Sequence, residues 1–427
     1  MIRSVALLST GDELVTGRTV DTNAHFITDK LGAIGLDVVA VLVVGDYPER
    51  LRWAWEQALD RADVVISTGG LGPTADDLTS ETVAELTQRP LELDDGVAER
   101  IRQLFASMGR TMPENNLKQA RFPRGATILA NPLGTAPGFR LALDRGGRRR
   151  HVVVLPGVPR EMKPMLEQQV VPWLQRERGA GAVFVSHVFQ TFGLSESALD
   201  ELVAGCIDPS EARIAFRAAF PQISVRLTVE DEPGRAEPRL GALASRLRER
   251  LGGFAYGEGD TTMENEVVRL LAERGATLAL AESCSGGLIG HRISNVPGCS
   301  AHFRGGIVAY SNDGKQSLLG VSAATLAAHG AVSEVTAEEM AVGARRALGA
   351  DIALAVTGIA GPDGGTAEKP VGTVCFGMAS DAGTISRRHK LWGGREWIKL
   401  LASQIALDWA RRRLLGLDPP ESGVLKR

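Results

Sequence analysis

Leu278-Ala279-Leu280-Ala281-Glu282-Ser283-Cys284-Ser285-Gly286-Gly287 is the stretch around which the rest of the 427-residue chain is organised. An apolar, strand-like run ends in a carboxylate, two hydroxyls and a thiol, and two glycines then open an amphipathic helix near Leu288. Ser283 therefore falls where a strand runs into a helix N-terminus. Free backbone N–H groups and the positive end of the helix dipole favour an anion there, either a bound phosphate or a developing oxyanion. The stretch reads as a candidate nucleophile or an anion cradle. The same small residues would also suit a turn that only needs tight backbone packing.

A chain of 427 residues is too long for one core, and roughly two to three domains are expected. Its 44% hydrophobic and 23% charged content is that of a soluble globular protein. A formal net charge of −3 leaves no bulk footprint for nucleic acid or an anionic membrane. The run Arg148 to Arg150 reads as a solvated turn. No apolar run reaches the roughly 18 residues of a membrane span, and Gly11-Asp12-Glu13 interrupts any signal-peptide core, so the expected location is cytoplasmic. Cys206, Cys284, Cys299 and Cys375 are scattered without a Cys-x-x-Cys pair, which argues against structural zinc or a disulfide framework.

Outward toward the N-terminus, strand, helix and strand alternate: Ser4 to Leu8, a helix from Asp21 or Thr22 to Gly35, Asp37 to Val44, a helix starting at Pro48, and Val64 to Ser67. This spacing predicts a wound α/β sheet, with Asp37 to Val44 buried on both faces. The third strand ends in Thr68-Gly69-Gly70-Leu71-Gly72-Pro73-Thr74-Ala75-Asp76-Asp77. Its glycines let backbone approach a ligand, Thr68 and Thr74 offer hydroxyls, and Asp76 and Asp77 could hold a hard divalent cation that bridges to phosphate. Ligands in such sheets bind beyond the carboxyl ends of the strands, and the Asp12 and Glu13 loop leaves the same edge. As plain structure, the turn is a common helix start with Asp77 as N-cap. Further on, Leu91 to Met108 reads as helix, Lys118 as a catalytic, phosphate-binding or solvated lysine, and Val152 to Leu155 as a buried strand feeding a helix toward Glu177. Arg176 to Gly181 reads as a linker.

Between Val183 and about Gly259 lies a small α+β unit: strand Phe184 to Phe192, helix Ser195 to Ala204, strand Ile223 to Glu230 and a charged helix Glu237 to Leu251. It offers no catalytic constellation and reads as a spacer or oligomerisation module, with Gly252 to Asp260 as a hinge. The last domain opens with the helix Met263 to Arg274. After the focal helix, Phe303 to Lys315 reads as a glycine-led strand, through Gly305 and Gly306, and a turn flanked by Tyr310 and Lys315. Serine, tyrosine and lysine suffice for amide hydrolysis without histidine or metal: a desolvated lysine takes the serine proton and the phenol relays one to the leaving nitrogen. Taken singly, Lys315 reads as a solvated lysine and Tyr310 as a half-buried strand aromatic. Strand Ile352 to Val356 leads into a second glycine-rich loop, Thr357 to Gly365, and Arg395 opens the terminal helix at a position suited to phosphate. The tail after Gly416 reads as frayed.

These residues resemble a known family over nearly the whole length. Gly11 to Leu14 with Asp21 to Ala24, the loop Gly69 to Asp77, Gly134 to Phe139 and Pro156 to Pro159 resemble the molybdopterin-binding-like domain of the CinA family. Ala281 to Gly287, Lys315, His329 to Ser333 and Thr357 to Pro362 resemble its C-terminal nicotinamide mononucleotide deamidase domain. The resemblance implies an α/β protein with a three-layer molybdopterin-binding-like domain over 1–178, a KH-like α+β domain over 179–258 and an α/β deamidase domain over 259–427. It implies hydrolysis of nicotinamide mononucleotide to nicotinate mononucleotide and ammonia, without a cofactor, with Ser283, Tyr310 and Lys315 at the catalytic positions. In the first domain it implies ADP-ribose pyrophosphatase activity with a divalent metal (Mg, Mn or Co), K+ being a further candidate ion, and for the whole chain a homodimer. Both activities belong to pyridine nucleotide recycling.

The candidate substrate-binding residues are Ser285, Gly286, Gly305, Gly306, Thr357, Gly358, Gly361 and Arg395 in the last domain, and Gly69, Gly70, Gly72 and Thr74 in the first; the candidate metal ligands are Glu13, Asp76 and Asp77. Ser285 departs from the family, which usually has threonine there, and keeps the hydroxyl. Cys284 competes as nucleophile, but it has no sequence-local histidine and free cysteines are commonly buried, which favours Ser283. Two other functions compete: a molybdopterin-handling nucleotidyltransferase or binding protein, which leaves Ser283 without a role, and a non-enzymatic adaptor in competence or DNA repair, for which the near-neutral charge offers no direct nucleic-acid footprint.

Overall fold

The computed structural model describes residues 2–178 and 183–419, so the expected linker at 176–181 and the tail after Gly416 lie partly outside the described residues. An α/β region, a small α+β region and a second α/β region follow one another in the expected order. Spatially the chain forms two units, Met1–Val185 with Glu230–Glu237, and Ser186–Val229 with Pro238–Arg427.

In the first unit a six-stranded sheet runs Asp37–Val44, Ser4–Thr10, Val64–Thr68, Arg148–Leu155, Gly138–Arg145, Thr127–Leu129. The first four strands are parallel, and each of the last two pairs antiparallel with the strand before it. Alternate residues of Ser4–Thr10 serve two cores: Val5 and Leu7 pack with Ile27, Leu31 and Trp173, Ala6 and Leu8 with Leu51 and Trp55. Helices on both faces are what such a two-sided apolar strand requires. Because Ser4–Thr10 pairs with Asp37–Val44 on one side and Val64–Thr68 on the other, the chain reverses direction across the sheet there. The crevice at their carboxyl ends is where ligands enter open α/β sheets.

Three local expectations change. Asp37–Val44 is an edge strand: a bulge opposite Val5 and Ala6 shifts its register, and Val39, Val41 and Val43 are exposed. Arg150 is not a solvated turn residue but a buried one inside Arg148–Leu155, with Nη1 2.9 Å from Asp63 Oδ1. The stretch Leu91 to Met108 splits into a short strand Leu91–Leu93 and a helix Asp95–Ser107, because the Asp94 side chain accepts from Val97 N at 2.8 Å and starts the helix there.

A four-stranded sheet, in the second unit apart from residues 183–185 and 230–231, orders Arg213–Ala219, Gln222–Asp231, Val183–Thr191 and Ala255–Glu258. The first and last of these strands lie in stretches that the sequence reading left without structure. Ala255–Glu258 occupies the expected hinge, which is pinned: Arg411 Nη2 donates to Gly253 O at 2.7 Å and Gln190 Nε2 to Gly259 O. Phe192 and Tyr256 belong to the same apolar cluster as Met263, Leu271 and Trp409, so the small region shares a core with the last domain.

The last sheet runs Phe303–Val308, Leu278–Glu282, Ile352–Gly358, Thr373–Ser380, Gly383–Lys390, the first three parallel. Alternation decides its layers. Leu278 and Leu280 face the bulky cluster with Ile289, Leu401 and Ile405, whereas Ala279 and Ala281 face Met340, Ala341 and Ala344 of the helix Glu334–Leu348. His389 is buried against Phe376 and Trp409, ring centroids 5.3 and 6.4 Å away, and its Nε2 lacks a partner. Burial, aided by Arg387, pulls the ring below the ordinary value of 6.5. A depressed histidine pKa means that the unfolded chain takes up a proton that the native ring refuses, so stability is full above pH 6.5 and is lost as pH falls through that value. Denaturant midpoints of wild type and His389→Phe at about pH 5 and about pH 8 should show a weaker pH dependence in the variant.

Candidate functional site

Strand Leu278–Glu282 ends in a carboxylate buried under the helix that follows. Its oxygens accept from the backbone N–H groups of Gly287 (3.0 Å), Ile289 (3.1 Å) and Gly290 (2.9 Å). These are donors that the first turn of Leu288–Ser294 would otherwise leave orphaned. The anion expected at this helix N-terminus is therefore Glu282 itself, and that expectation for an external phosphate or oxyanion is corrected. Glu282 fastens both ends of the intervening loop, which the backbone bonds of Ser283 N to Val356 O (2.9 Å) and Gly286 N to Ser283 O (3.1 Å) complete.

Lys315 arrives from an element that the sequence reading took for a turn. The Ser311 side chain accepts from Gly314 N at 3.0 Å and starts a helix, Asn312–Leu319, so Lys315 sits in its first turn with the side chain directed inward. Only 1% of Lys315 is exposed, and its Nζ lies 3.0 Å from Ser283 Oγ, 2.8 Å from Ala309 O and 3.5 Å from Tyr310 O. Burial lowers its pKa from the ordinary lysine value. A Cys284 thiolate would oppose that shift, but burial pushes the Cys284 thiol up to about 12, so at neutral pH it is protonated. The same fact sets Cys284 aside as nucleophile, since the thiolate is the reactive form.

Tyr310 is 62% exposed, and its hydroxyl accepts from Arg395 Nη2 at 2.8 Å rather than meeting Ser283. Arg395 Nη1 donates to Gly361 O at 2.7 Å, so one guanidinium ties the tyrosine to the second glycine-rich loop. Ser283, Tyr310, Lys315, Thr357, Gly358, Gly361 and Arg395 line one cavity of about 270 Å³. Ser285, Gly286, Gly305 and Gly306 do not line it. Gly305 and Gly306 lie within strand Phe303–Val308, and the Ser285 hydroxyl is buried without a partner. Asp363, Ala331 and Val332, absent from the expected set, also line it; Asp363 stood in the quoted loop and its acidity was the available signal.

At the carboxyl edge of the first sheet, Glu13, Gly69, Gly70, Gly72, Asp76 and Asp77 line a larger cavity of about 580 Å³. Gly69 has φ +102° and a Cβ there would stand 2.5 Å from Thr10 O, so only glycine permits this approach of loop to strand end. Thr74 is not in the wall: its N donates to Asp77 Oδ2 at 3.0 Å, and its hydroxyl does the same. Lys118 braces the loop from outside, donating to Thr74 O at 2.9 Å with Glu81 3.3 Å away. Asp46 is a wall residue the sequence reading missed. It stands two residues after the end of strand Asp37–Val44, and that carboxyl-end position was the signal. Burial, with the carboxylates of Asp12, Glu13 and Asp76 adding to it, raises the Asp46 pKa against the pull of the Asp12 N–H. Among the described residues no three acidic or metal-ligating side chains converge as a ready-made cage. One Asp77 oxygen is committed to Thr74. The set fits a hard cation shared with a ligand's phosphates, which needs only one or two protein carboxylates, and does not fit one enclosed by protein alone.

Two α/β domains with carboxyl-edge cavities, joined through a small α+β domain, are the architecture that fold and sites define. The chain belongs to the CinA family. Family profiles described as "Probable molybdopterin binding domain", "Damage-inducible protein CinA KH domain" and "CinA C-terminal domain" match residues 6–176, 186–257 and 260–414. A CinA-like protein of Geotalea uraniireducens (strain Rf4) is 43% identical, covering 98% of this chain and 99% of its own. One of Geobacter sulfurreducens is 45% identical over 96% and 99%. The crystal structure of the competence/damage inducible protein CihA from Agrobacterium tumefaciens, 40% identical, covers 35% of this chain and 93% of its own with a TM-score of 0.33. No helix among the described residues is long and apolar enough to cross a membrane.

Replacing Glu282 by alanine strands three backbone donors under the helix. A loss of about 3 kcal/mol is expected for the last domain, with Glu282→Gln intermediate, read from its unfolding transition in the full-length protein.

Proposed function

We propose that the C-terminal cavity hydrolyses the carboxamide of nicotinamide mononucleotide to nicotinate mononucleotide and ammonia. The observation that carries this reading is the buried Lys315 Nζ at 3.0 Å from Ser283 Oγ. In its neutral form the amine accepts the serine proton while Oγ attacks the carboxamide carbon. The protonated amine then returns that proton to the departing nitrogen, which leaves as ammonia. Water, deprotonated by the same amine, cleaves the acyl-serine ester, and the proton goes back to Ser283 as its oxygen is released. The N–H of Cys284, a cavity residue, follows the nucleophile directly in the chain, the position from which acyl-transfer sites stabilise the oxyanion. Arg395 supports the phosphate of the nucleotide, and Tyr310, bonded to it, serves as a rim residue that holds the guanidinium.

Ammonia release from nicotinamide mononucleotide tests the reading. Ser283→Ala should abolish turnover, Lys315→Met should lower kcat by about 10²- to 10⁴-fold, and Cys284→Ala should keep most activity. Because the working form of Lys315 is neutral and burial lowers its pKa, kcat/KM should rise with pH and level off below the ordinary value of 10.5. No ammonia from the wild type, or equal loss in Cys284→Ala, sinks the assignment. A pterin-handling role for the whole chain would leave the Ser283 and Lys315 pair unexplained.

For the N-terminal cavity the crowding of Asp12, Glu13 and Asp76 around Asp46 favours a second activity, cleavage of the pyrophosphate of ADP-ribose with Mg2+, Mn2+ or Co2+. A divalent cation bound there would supply charge neutralisation for the phosphate oxygens. One or two of Glu13, Asp46 and Asp76 would share it with the ligand, Gly69 and Gly70 admit the phosphates to the strand ends, and Asp77 keeps the loop closed through Thr74. Phosphate-monoester release from ADP-ribose should require added metal and fall at least about tenfold in Asp46→Asn and in Asp76→Asn, while ammonia release in the other domain is untouched. Metal-independent cleavage would count against it.

A further inference from the structure

We propose that Phe220, at the tip of the middle domain's hairpin, is a positioning residue for Arg395 in the C-terminal cavity. Strands Arg213–Ala219 and Gln222–Asp231 pair antiparallel down to the Ala219 and Gln222 couple, so Phe220 and Pro221 form the turn itself. Two-residue hairpin turns ordinarily carry glycine, asparagine or aspartate, which suit both the backbone and water. An aromatic ring at the tip needs a different reason.

Its reason is a pair of indoles on the last domain. The Phe220 ring stacks on Trp397 at 4.2 Å and 23°, and meets Trp392 edge-on at 5.6 Å; the two indoles are themselves 5.4 Å apart. Even with Phe220 against them, Trp392 and Trp397 remain 48% and 46% exposed, so the Phe220 ring meets an aromatic patch that is otherwise open. The contact is not carried by a loose arm. Gln222, the first residue after the turn, accepts from Tyr256 Oη at 2.7 Å, and Tyr256 sits in the core shared with the last domain.

Trp392 and Trp397 bracket Gly393-Gly394-Arg395, the turn that starts the helix Arg395–Leu414. Gly394 offers no side chain to cap that helix, and Gly393 adopts φ +96° with its missing Cβ 2.9 Å from Trp397 Cβ. The placement of Arg395 is thus set by the indoles on either side of it, and the indoles are set by Phe220. From there the guanidinium spans to Gly361 O and Tyr310 Oη, both in the wall of the Ser283 cavity. The middle domain has no catalytic constellation of its own, and through Phe220 it steadies the cation at the rim of its neighbour's cavity.

The kinetic half of the test rests on the deamidase reading, and the exchange half does not. In the full-length protein, Phe220→Ala should speed amide hydrogen exchange about tenfold in peptides covering 391–398 and 357–365, leave the helix Glu334–Leu348 unchanged, and be rescued by Phe220→Tyr. With nicotinamide mononucleotide, Phe220→Ala should raise KM about five- to tenfold with kcat within about twofold, because the grip on phosphate loosens while Ser283 and Lys315 stay paired; Phe220→Tyr should restore KM. Unchanged exchange in both peptides overturns the proposal, as does faster exchange throughout the last domain with kcat and KM both disturbed. If the wild type releases no ammonia, the deamidase reading fails and the exchange pattern alone decides for or against Phe220.

Discussion

A primary amine held almost wholly out of water, with a serine hydroxyl 3.0 Å away, is the constraint on which the C-terminal domain is built. Burying an ammonium is costly unless the charge is paired or lost, and here the surrounding acceptors are two neutral carbonyls and the hydroxyl. Burial shifts the balance toward the neutral amine, which is a base. Everything near it keeps that geometry: Ser311 starts the helix that aims Lys315 inward, and Glu282 locks the loop that carries Ser283. A carboxylate one residue from Ser283 thus works on the backbone, while the amine works on the hydroxyl.

The two cavities divide their chemistry by charge. The C-terminal one has a buried amine of lowered pKa at its floor and the Arg395 guanidinium at its rim, a polarity suited to an uncharged reacting group on an anionic ligand. At the N-terminal one, burial and the neighbouring carboxylates raise the pKa of Asp46, so the wall is acidic where the other carries a cation. Both lie beyond the carboxyl ends of parallel strands, where the starts of helices and loops supply polar backbone and the sheet supplies rigidity. The middle domain shares its core with the last domain through Phe192 and Tyr256, which makes it part of the scaffold around Arg395 instead of a flexible spacer.

Much of this was legible in one dimension. The alternation Leu278-Ala279-Leu280-Ala281 announced a strand buried on two unlike faces, and the strand and helix spacing of the first domain announced a wound sheet. Where patterning misled, a neighbour in space was responsible. Asp37–Val44 has the composition of a central strand but lies at an edge, because nothing pairs beyond it among the described residues. Arg150 belongs to a basic run but is buried by Asp63, 87 residues earlier in the chain. The glycines Gly305 and Gly306 resemble ligand contacts and are strand interior.

Sequence by itself determined the order and class of the domains, the strand ends where the cavities open, and Ser283, Lys315 and Arg395 as residues of one of them. Those follow from local rules, since periodicity, capping and glycine placement act within a few residues of one another. Only the tertiary structure decided that Glu282 and not a ligand fills the helix N-terminus, that Tyr310 bonds Arg395, that Asp46 joins the acidic wall, and that Phe220 reaches the Trp392 and Trp397 pair. Each of these depends on which groups are brought within a few ångströms by packing and on how much water is removed around them. Neither quantity is a property of any short stretch of chain.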